Sequence, residues 1–356
     1  MSAADWLPLV FAALAALSVL AYVLMDGWDL GVGILYPLVA RDADRQLMLD
    51  SIAPFWDANE TWLVFGGMML LAGFPLAYAT LLPVLYMPLI LMLLALVVRG
   101  VSYEFRHHGR ELRPLWEWLF FFGSILMALA QGWMLGRIVE GVPDPATAQS
   151  GYGWLRSLFP AFCAVGMVGG YALLGSCWLI LKAGGALQIF GREVAHSALL
   201  VTLALLLAVC VWTPLAVPQV AQRWFTPSYL SLIWLLPVVT AVTAWRLWHS
   251  LWGSDDAHPL RCAVALFVLA FLGLDVSIYP YIVPYRYTVF EAANDAASLR
   301  FTSIGVALIL PVIATYLALG YRVFRGKVAP HPVQVAAGPH IGARRSSGNP
   351  SDLHLS

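Results

Sequence analysis

The chain has 356 residues, of which 61% are hydrophobic and only 11% are charged, and its formal net charge at pH 7 is +0. Soluble proteins are about 25% charged. This composition therefore excludes an ordinary soluble domain and predicts an all-α polytopic membrane protein. The balanced charge also gives no reason to expect a nucleic acid partner.

Nine apolar stretches are long enough to cross a bilayer, since a membrane-spanning helix needs about 20 such residues. The predicted spans are centred on residues 7–30, 55–73, 76–98, 115–136, 158–181, 196–213, 228–248, 261–283 and 303–323. The tail at 326–356 is rich in Pro, Gly, Ser and His, so we predict that it is disordered.

The basic residues predict the orientation of the chain. With nine spans, three-quarters of the 20 Lys and Arg residues fall on one side of the membrane. The loop that contains Arg99 and Arg106 contributes to that side. Because cytoplasmic loops carry the excess of basic residues, we predict a periplasmic N-terminus and a cytoplasmic C-terminus.

The first predicted span ends in the motif DGWDLGVG, which places two acids at membrane depth. Asp26 and Asp29 are three residues apart and therefore share one face of the helix. Gly27, Gly31 and Gly33 surround them. Small residues of this kind allow close packing against a neighbouring helix.

The second predicted span begins in the motif SIAPFWDANETWL at 51–63. Asp57 and Glu60 are again three residues apart, with Trp56 and Asn59 beside them. Because the two spans are adjacent, we expect their four carboxylates to reach the same depth on the cytoplasmic side.

Two interpretations of these acids are open. In the first, all four lie in the headgroup region and contact water. In the second, they meet in a poorly hydrated place and form a proton route from the cytoplasm. Lys and Arg are absent from residues 7–40 and 46–98, which favours the second interpretation for the set.

A second polar region lies near the end of the predicted eighth span. Asp275 precedes Pro280 and Pro284, which end or break a helix, and Glu291 and Asp295 follow. A broken helix of this kind suits the substrate site of a proton-coupled secondary transporter. A helix that turns into an outer loop explains the same pattern.

The histidines do not form a haem site. Seven of the 8 lie in predicted loops or in the tail, and His196 begins the predicted sixth span. Since no two face each other within a bundle, the sequence excludes a cytochrome b with two histidine ligands. No zinc-ligand spacing or phosphate-binding loop is present either, so we predict no metal site.

Four motifs together resemble subunit II of the cytochrome bd quinol oxidases. They are DGWDLGVG at 26–33, SIAPFWDANETWL at 51–63, YEFR at 103–106, and the stretch from YPYIVP to AASLRF at 279–301. They occur in the family's order between about residues 5 and 325. The Tyr-rich stretch from Ile282 and the QGW at 131–133 are more similar to the cyanide-insensitive branch.

The resemblance implies a non-catalytic subunit of a complex that oxidises ubiquinol and reduces dioxygen to water, with protons from the cytoplasm and no proton pumping. In that family, carboxylates of subunit II line a proton route, and Asp26 and Asp57 match them. The expected site comprises a proton pathway of Asp26, Asp57, Asp29 and Glu60, supporting residues Trp56, Asn59 and Trp28, and a face of Gly27, Gly31 and Gly33 that packs on subunit I.

The resemblance also implies the architecture and the partners. Residues 1–136 and 137–283 would form two four-helix bundles, and 284–325 an outer loop with a peripheral ninth helix. The haem-bearing subunit I would supply haem b and haem d, and this chain would bind none by itself. A small single-span subunit and a bound quinone are compatible with the family. The resemblance also implies that the protein lies in the bacterial inner membrane.

Overall fold

The computed structural model describes residues 3–106, 111–141 and 158–329, and this part of the chain is almost entirely helical. The helices in chain order are α1 (Ala3–Leu35), α2 (Asp42–Ile52), α3 (Trp56–Gly73), α4 (Pro75–Phe105), α5 (Arg113–Glu140), α6 (Leu158–Lys182), α7 (Gly185–Ala216), α8 (Pro218–Trp224), α9 (Pro227–Ser250), α10 (His258–Ile278), α11 (Val289–Ala292) and α12 (Ala296–Val323). A hairpin of two short antiparallel strands, β1 (Tyr281–Val283) and β2 (Tyr287–Thr288), lies between α10 and α11.

Each predicted span corresponds to one of the long helices. Within the described ranges, 7 helices are long and apolar enough to cross a membrane. The set omits α9 and also α3, whose first two turns carry Asp57, Asn59 and Glu60. The number of spans and the orientation of the two termini stay predictions.

The predicted boundaries are wrong at several helix ends, and the largest difference is at α7, which begins at Gly185 and not at residue 196. α1 continues to Leu35 and α4 to Phe105, beyond the predicted residues 30 and 98. The added turns of each helix include fully buried residues, among them Val32 on α1 and Ser102 on α4, so packing within the protein continues beyond the predicted ends. α10 stops at Ile278, short of the predicted residue 283, because proline cannot continue the helix.

α1 is the central helix of the fold. It packs against α3, α5 and α6, while α5 lies between α4 and α6. α6 also contacts α7 and α10, and α12 packs on α3 and α1. Because α1 and α6 are in contact along their length, packing crosses the predicted boundary at residue 137. The division into two bundles stays a prediction.

The glycines of the first motif pack inside this chain. A Cβ added to Gly31 would overlap the carbonyl oxygen of Tyr171, and one added to Gly27 would lie 2.8 Å from the ring of Tyr171 on α6. Gly33 meets Ser124 of α5 in the same way. The prediction of close helix packing is confirmed. The expectation that these glycines meet a partner subunit is wrong, because helices of this chain enclose them.

The loop between α10 and α12 is anchored by hydrogen bonds that its acids accept. Glu291 forms a capping box with Thr288 at the start of α11, and Asp295 caps α12 by accepting from the amides of Ala297 and Ser298. Hydrogen bonds from Thr288 hold the pKa of Glu291 below its ordinary value. These two acids therefore have a structural role as helix caps. The chain turns into a loop after α10, and the side of the membrane on which this loop lies stays a prediction.

The chain that follows α12 is fixed to the end of α6. Lys182 donates to the carbonyl of Phe324 at 2.5 Å, and Lys327 donates to the carbonyl of Ala183 at 2.8 Å. The amide of Val328 donates to the carbonyl of Lys182 at 2.8 Å. These bonds hold the beginning of the predicted tail; its remainder, from residue 330, lies outside the described residues.

Candidate functional site

Asp26 and Asp29 lie one turn apart near the C-terminal end of α1. Both are buried, with 1% and 0% of their surface exposed. Their spacing places them on one face of the helix, where groups from α3 and α4 contact them. The headgroup interpretation is therefore wrong for this pair, since protein encloses both side chains.

A buried arginine lies at the centre of the acidic group. Nη1 of Arg99, on α4, is 3.2 Å from Oδ1 of Asp26 and 3.6 Å from Oε1 of Glu60. Only 1% of the Arg99 surface is exposed. Arg99 was predicted to lie in a cytoplasmic loop, and that prediction is wrong because α4 continues for six residues beyond it.

The second acid of α1 is held by an amide. Nδ2 of Asn59 donates to Oδ2 of Asp29 at 2.7 Å and to the carbonyl of Met25 at 3.0 Å. Oδ1 of Asn59 in turn accepts from the hydroxyl of Tyr321, on α12, at 2.9 Å. The predicted supporting role of Asn59 thus rests on a direct contact with Asp29. α12 contributes Tyr321, which sequence patterns did not indicate.

The two acids of α3 have different surroundings. Glu60 is mostly enclosed, with 15% of its side chain exposed, whereas Asp57 is exposed on the surface of the chain. Three residues turn a helix by about 300°, so the two side chains diverge by about 60°. The expectation that all four acids share one enclosed place is therefore wrong for Asp57, although its charge still acts on Glu60.

The predicted supporting tryptophans pack around this group. Trp28 stacks on Trp178 of α6, with ring centroids 5.0 Å apart and planes inclined by 4°. Trp56 is half-buried, with its ring 5.5 Å from that of Tyr103 on α4. These rings join the helices that carry the acids to α4 and α6.

The described residues contain no group of three His, Cys, Asp or Glu side chains arranged as metal ligands. His196 lies between the rings of Trp248 and Trp252, and its Nδ1 bonds to the carbonyl of Arg192 at 2.8 Å. That ring is held by packing and by its own helix.

The arrangement as a whole can bind and release protons. Three enclosed or mostly enclosed carboxylates, those of Asp26, Asp29 and Glu60, surround the single cation of Arg99. Carboxylates close together in a low dielectric cannot all be charged without a large cost. Protons therefore relieve the excess negative charge, and Glu60 connects the group with the exposed Asp57.

Comparison with known proteins gives one consistent result. Residues 7–324 match the family model of cytochrome bd terminal oxidase subunit II. The chain is 25% identical to cytochrome bd-I ubiquinol oxidase subunit 2 of Escherichia coli (strain K12), over 90% of this chain and 95% of that protein. It is 27% identical to cytochrome bd ubiquinol oxidase subunit 2 of Bacillus subtilis (strain 168), over 89% and 95%.

The fold is also similar to a solved structure. A chain in the structure of bd oxidase from Geobacillus thermodenitrificans superposes with a TM-score of 0.70, at 16% sequence identity. The match covers 89% of this chain and 98% of that one. At this identity the likeness concerns the fold alone.

Proposed function

Because this chain belongs to the family of cytochrome bd terminal oxidase subunit II, we propose that it conducts protons toward a haem-bearing partner subunit in a ubiquinol oxidase. The protons enter from the cytoplasmic side and are used in the reduction of dioxygen to water. The chain itself is a non-catalytic scaffold without haem, in the bacterial inner membrane.

One observation carries this proposal: the buried acidic group of Asp26, Asp29 and Glu60 around Arg99. Ionisable groups inside a membrane are costly, and they mark proton or ion pathways more often than they contribute stability. A structural ion pair needs one acid for each base. The two additional acids exceed what one ion pair with Arg99 requires, and this excess favours a role in proton transfer.

The exposed Asp57 indicates where protons leave the chain. Val64, Met68 and Leu71 are exposed on the same face of α3, with 62%, 55% and 50% of their surface accessible. A single carboxylate on such an apolar membrane face is costly in contact with lipid. We place the partner subunit on this face, where it covers Asp57 and receives its proton.

The route that follows runs along α3. Asp57 and Glu60 are one turn apart, and Glu60 contacts Arg99 in the enclosed group. In this proposal Glu60 exchanges protons with the enclosed group and Asp57 exchanges them with the partner. The haems and the quinol site belong to the partner and to the complex, not to this chain.

Steady-state oxygen uptake by the purified complex tests the proposal. Replacing Asp57 by Asn should lower the turnover at least about tenfold, since loss of a proton-transferring group typically costs 10²–10⁴-fold, while the haem content stays unchanged. Glu104→Gln is the matched control, because Glu104 is an exposed acid on α4 that lies outside the proposed route. Wild-type turnover in Asp57→Asn would refute the proton role.

A further inference from the structure

The side-chain amide of Asn59 joins α3 to two other helices at the acidic group. Its Nδ2 donates to Oδ2 of Asp29 at 2.7 Å and to the carbonyl of Met25 at 3.0 Å, both on α1. Its Oδ1 accepts from the hydroxyl of Tyr321, on α12, at 2.9 Å. Asn59 and Asp29 are both fully buried, with 0% of their surface exposed. The proposed proton route assigns no role to Tyr321.

The orientation of this amide follows from its three neighbours. The Met25 carbonyl and the Asp29 carboxylate can only accept hydrogen bonds, so they require the NH₂ group of Asn59 on their side. The amide oxygen then faces α12, where it needs a donor, and the Tyr321 hydroxyl is that donor. An amide turned by 180° would place its oxygen against two other oxygens. The three neighbours therefore select one orientation of Asn59.

The ring of Tyr321 is fixed in place by other aromatic rings. It stacks on Phe55, which directly precedes α3, with centroids 4.4 Å apart and planes inclined by 10°. Trp28 and Trp178 form T-shaped pairs with it, at centroid distances of 6.0 and 6.4 Å. Aromatic pairs favour both of these geometries. The hydroxyl of Tyr321 therefore has a defined position relative to Asn59.

The end of α12 is also held by Lys182, at the end of α6. Its Nζ donates to the carbonyl of Phe324, three residues after Tyr321, at 2.5 Å. The same Nζ lies 5.1 Å from the centroid of the Phe55 ring, where a cation is attracted. A shift of α12 away from Asn59 would break the bond to Phe324 and the stacking on Phe55.

The two carboxyl oxygens of Asp29 have different surroundings. Oδ2 accepts from Asn59, whereas Oδ1 is buried and has no hydrogen-bond partner within the described part of the chain. Because the amide nitrogen of Asn59 donates and cannot accept, a proton on Oδ2 would compete with that bond. A proton on Oδ1 leaves the bond intact. The other charged groups of this enclosed place, Asp26, Glu60 and Arg99, contact one another through the arginine.

We infer that Tyr321 is a positioning residue that holds the Asn59 amide on Oδ2 of Asp29, so that Oδ1 is the oxygen that binds and releases the proton. This inference rests on the proposed function, because it names the atom that acts within the same proton route. It also gives the end of α12 a role in the acidic group.

Infrared spectroscopy of the intact purified oxidase complex tests the inference, since the C=O stretch of a protonated carboxyl group falls in frequency when its oxygen accepts a hydrogen bond. The band of Asp29 is the protonated-carboxyl band that Asp29→Asn abolishes. Asn59→Leu keeps the approximate size of the side chain and removes the donor, so the band should move to higher frequency. Tyr321→Phe keeps the ring and leaves Oδ1 of Asn59 without its donor, so the band should move in the same direction by a smaller amount.

Tyr316→Phe is the matched control, because Tyr316 lies on the same helix with 66% of its surface exposed. Its band should keep the wild-type frequency. The absence of any band that depends on Asp29, or a band whose frequency is unchanged in Asn59→Leu or in Tyr321→Phe, would overturn the inference. Tyr321→Phe alone decides the test where Asn59→Leu prevents assembly. The frequency does not depend on turnover, so a failure here is separate from a failure of the oxygen-uptake test.

Discussion

Replacing Arg99 by Gln removes the only cation that contacts the enclosed acids within the described part of the chain, so its effect should be large. Arg99 lies 3.2 Å from Asp26. At an effective dielectric constant of about 20, a pair at that distance attracts by about 5 kcal/mol. Desolvation of both charges offsets most of this attraction. When only one partner is removed, the other charge stays buried and its desolvation cost is no longer compensated.

The variant Arg99→Gln should therefore destabilise the complex by about 3–5 kcal/mol, the usual cost of leaving one buried charge without its partner. Asp26→Asn should have a loss of similar size, because it leaves Arg99 with the longer contact to Glu60. The double variant removes both charges and should recover most of the stability, with a coupling of about 3 kcal/mol.

The wild type, the two single variants and the double variant form a double-mutant cycle. It is measured by thermal unfolding of the purified complex in detergent, with the fraction that stays monodisperse as the signal. The double variant should have a higher midpoint temperature than either single variant. Arg261 and Asp255 serve as the control pair, because both are exposed at the start of α10 and their cycle should show no coupling. Additive losses in the cycle of Arg99 and Asp26 would refute the reasoning.

Three further predictions concern packing, cofactors and pH. Gly31→Ala should prevent the close contact of α1 with α6 and abolish recovery of folded complex, since the added methyl overlaps backbone. Gly305→Ala, in open space on α12, should have no effect, and equal recovery of both variants would contradict this packing. The chain expressed without its partner should show no Soret band; a haem spectrum from it alone would overturn the assignment of haems to the partner. Burial raises the pKa of Asp256, but hydrogen bonds from Lys327 and Gln188 outweigh it and keep the pKa below the ordinary 3.8. The contribution of Asp256 to stability is therefore present above pH 3.8 and is lost as the pH falls below that value. The protection factor of the Val328 amide against hydrogen exchange should fall there in the wild type and should be low at all pH values in Asp256→Asn.

The sequence was sufficient to find the helices and the acids of α1. Their three-residue spacing and the nearby glycines indicated a packed polar face, and Asp26 and Asp29 are buried as a result. The sequence could not identify the helix that meets Gly31, because a small residue shows only that something approaches. That helix is α6 of the same chain, 140 positions further on.

Arg99 was missed for a physical reason. It follows a long apolar run and precedes several other basic residues, so counting charges on the two sides of the membrane assigned it to a loop. A signal was nevertheless present, since Arg99, Ser102 and Arg106 have helical spacing and all three are buried, the first two on α4 and Arg106 directly after it. Likewise, no local pattern connects Tyr321 with Asn59, because their contact joins helices that are far apart in the chain.

The central claim is that acids of this chain deliver protons to the oxidase, and proton uptake itself tests it most directly. The complex is reconstituted in vesicles with a pH indicator on the predicted cytoplasmic side, and an oxygen pulse is given to the reduced enzyme. The account predicts that Asp57→Asn and Glu60→Gln take up protons at least about tenfold more slowly than the wild type, with unchanged haem content, whereas Glu104→Gln does not. Proton uptake at the wild-type rate in both variants would contradict the account.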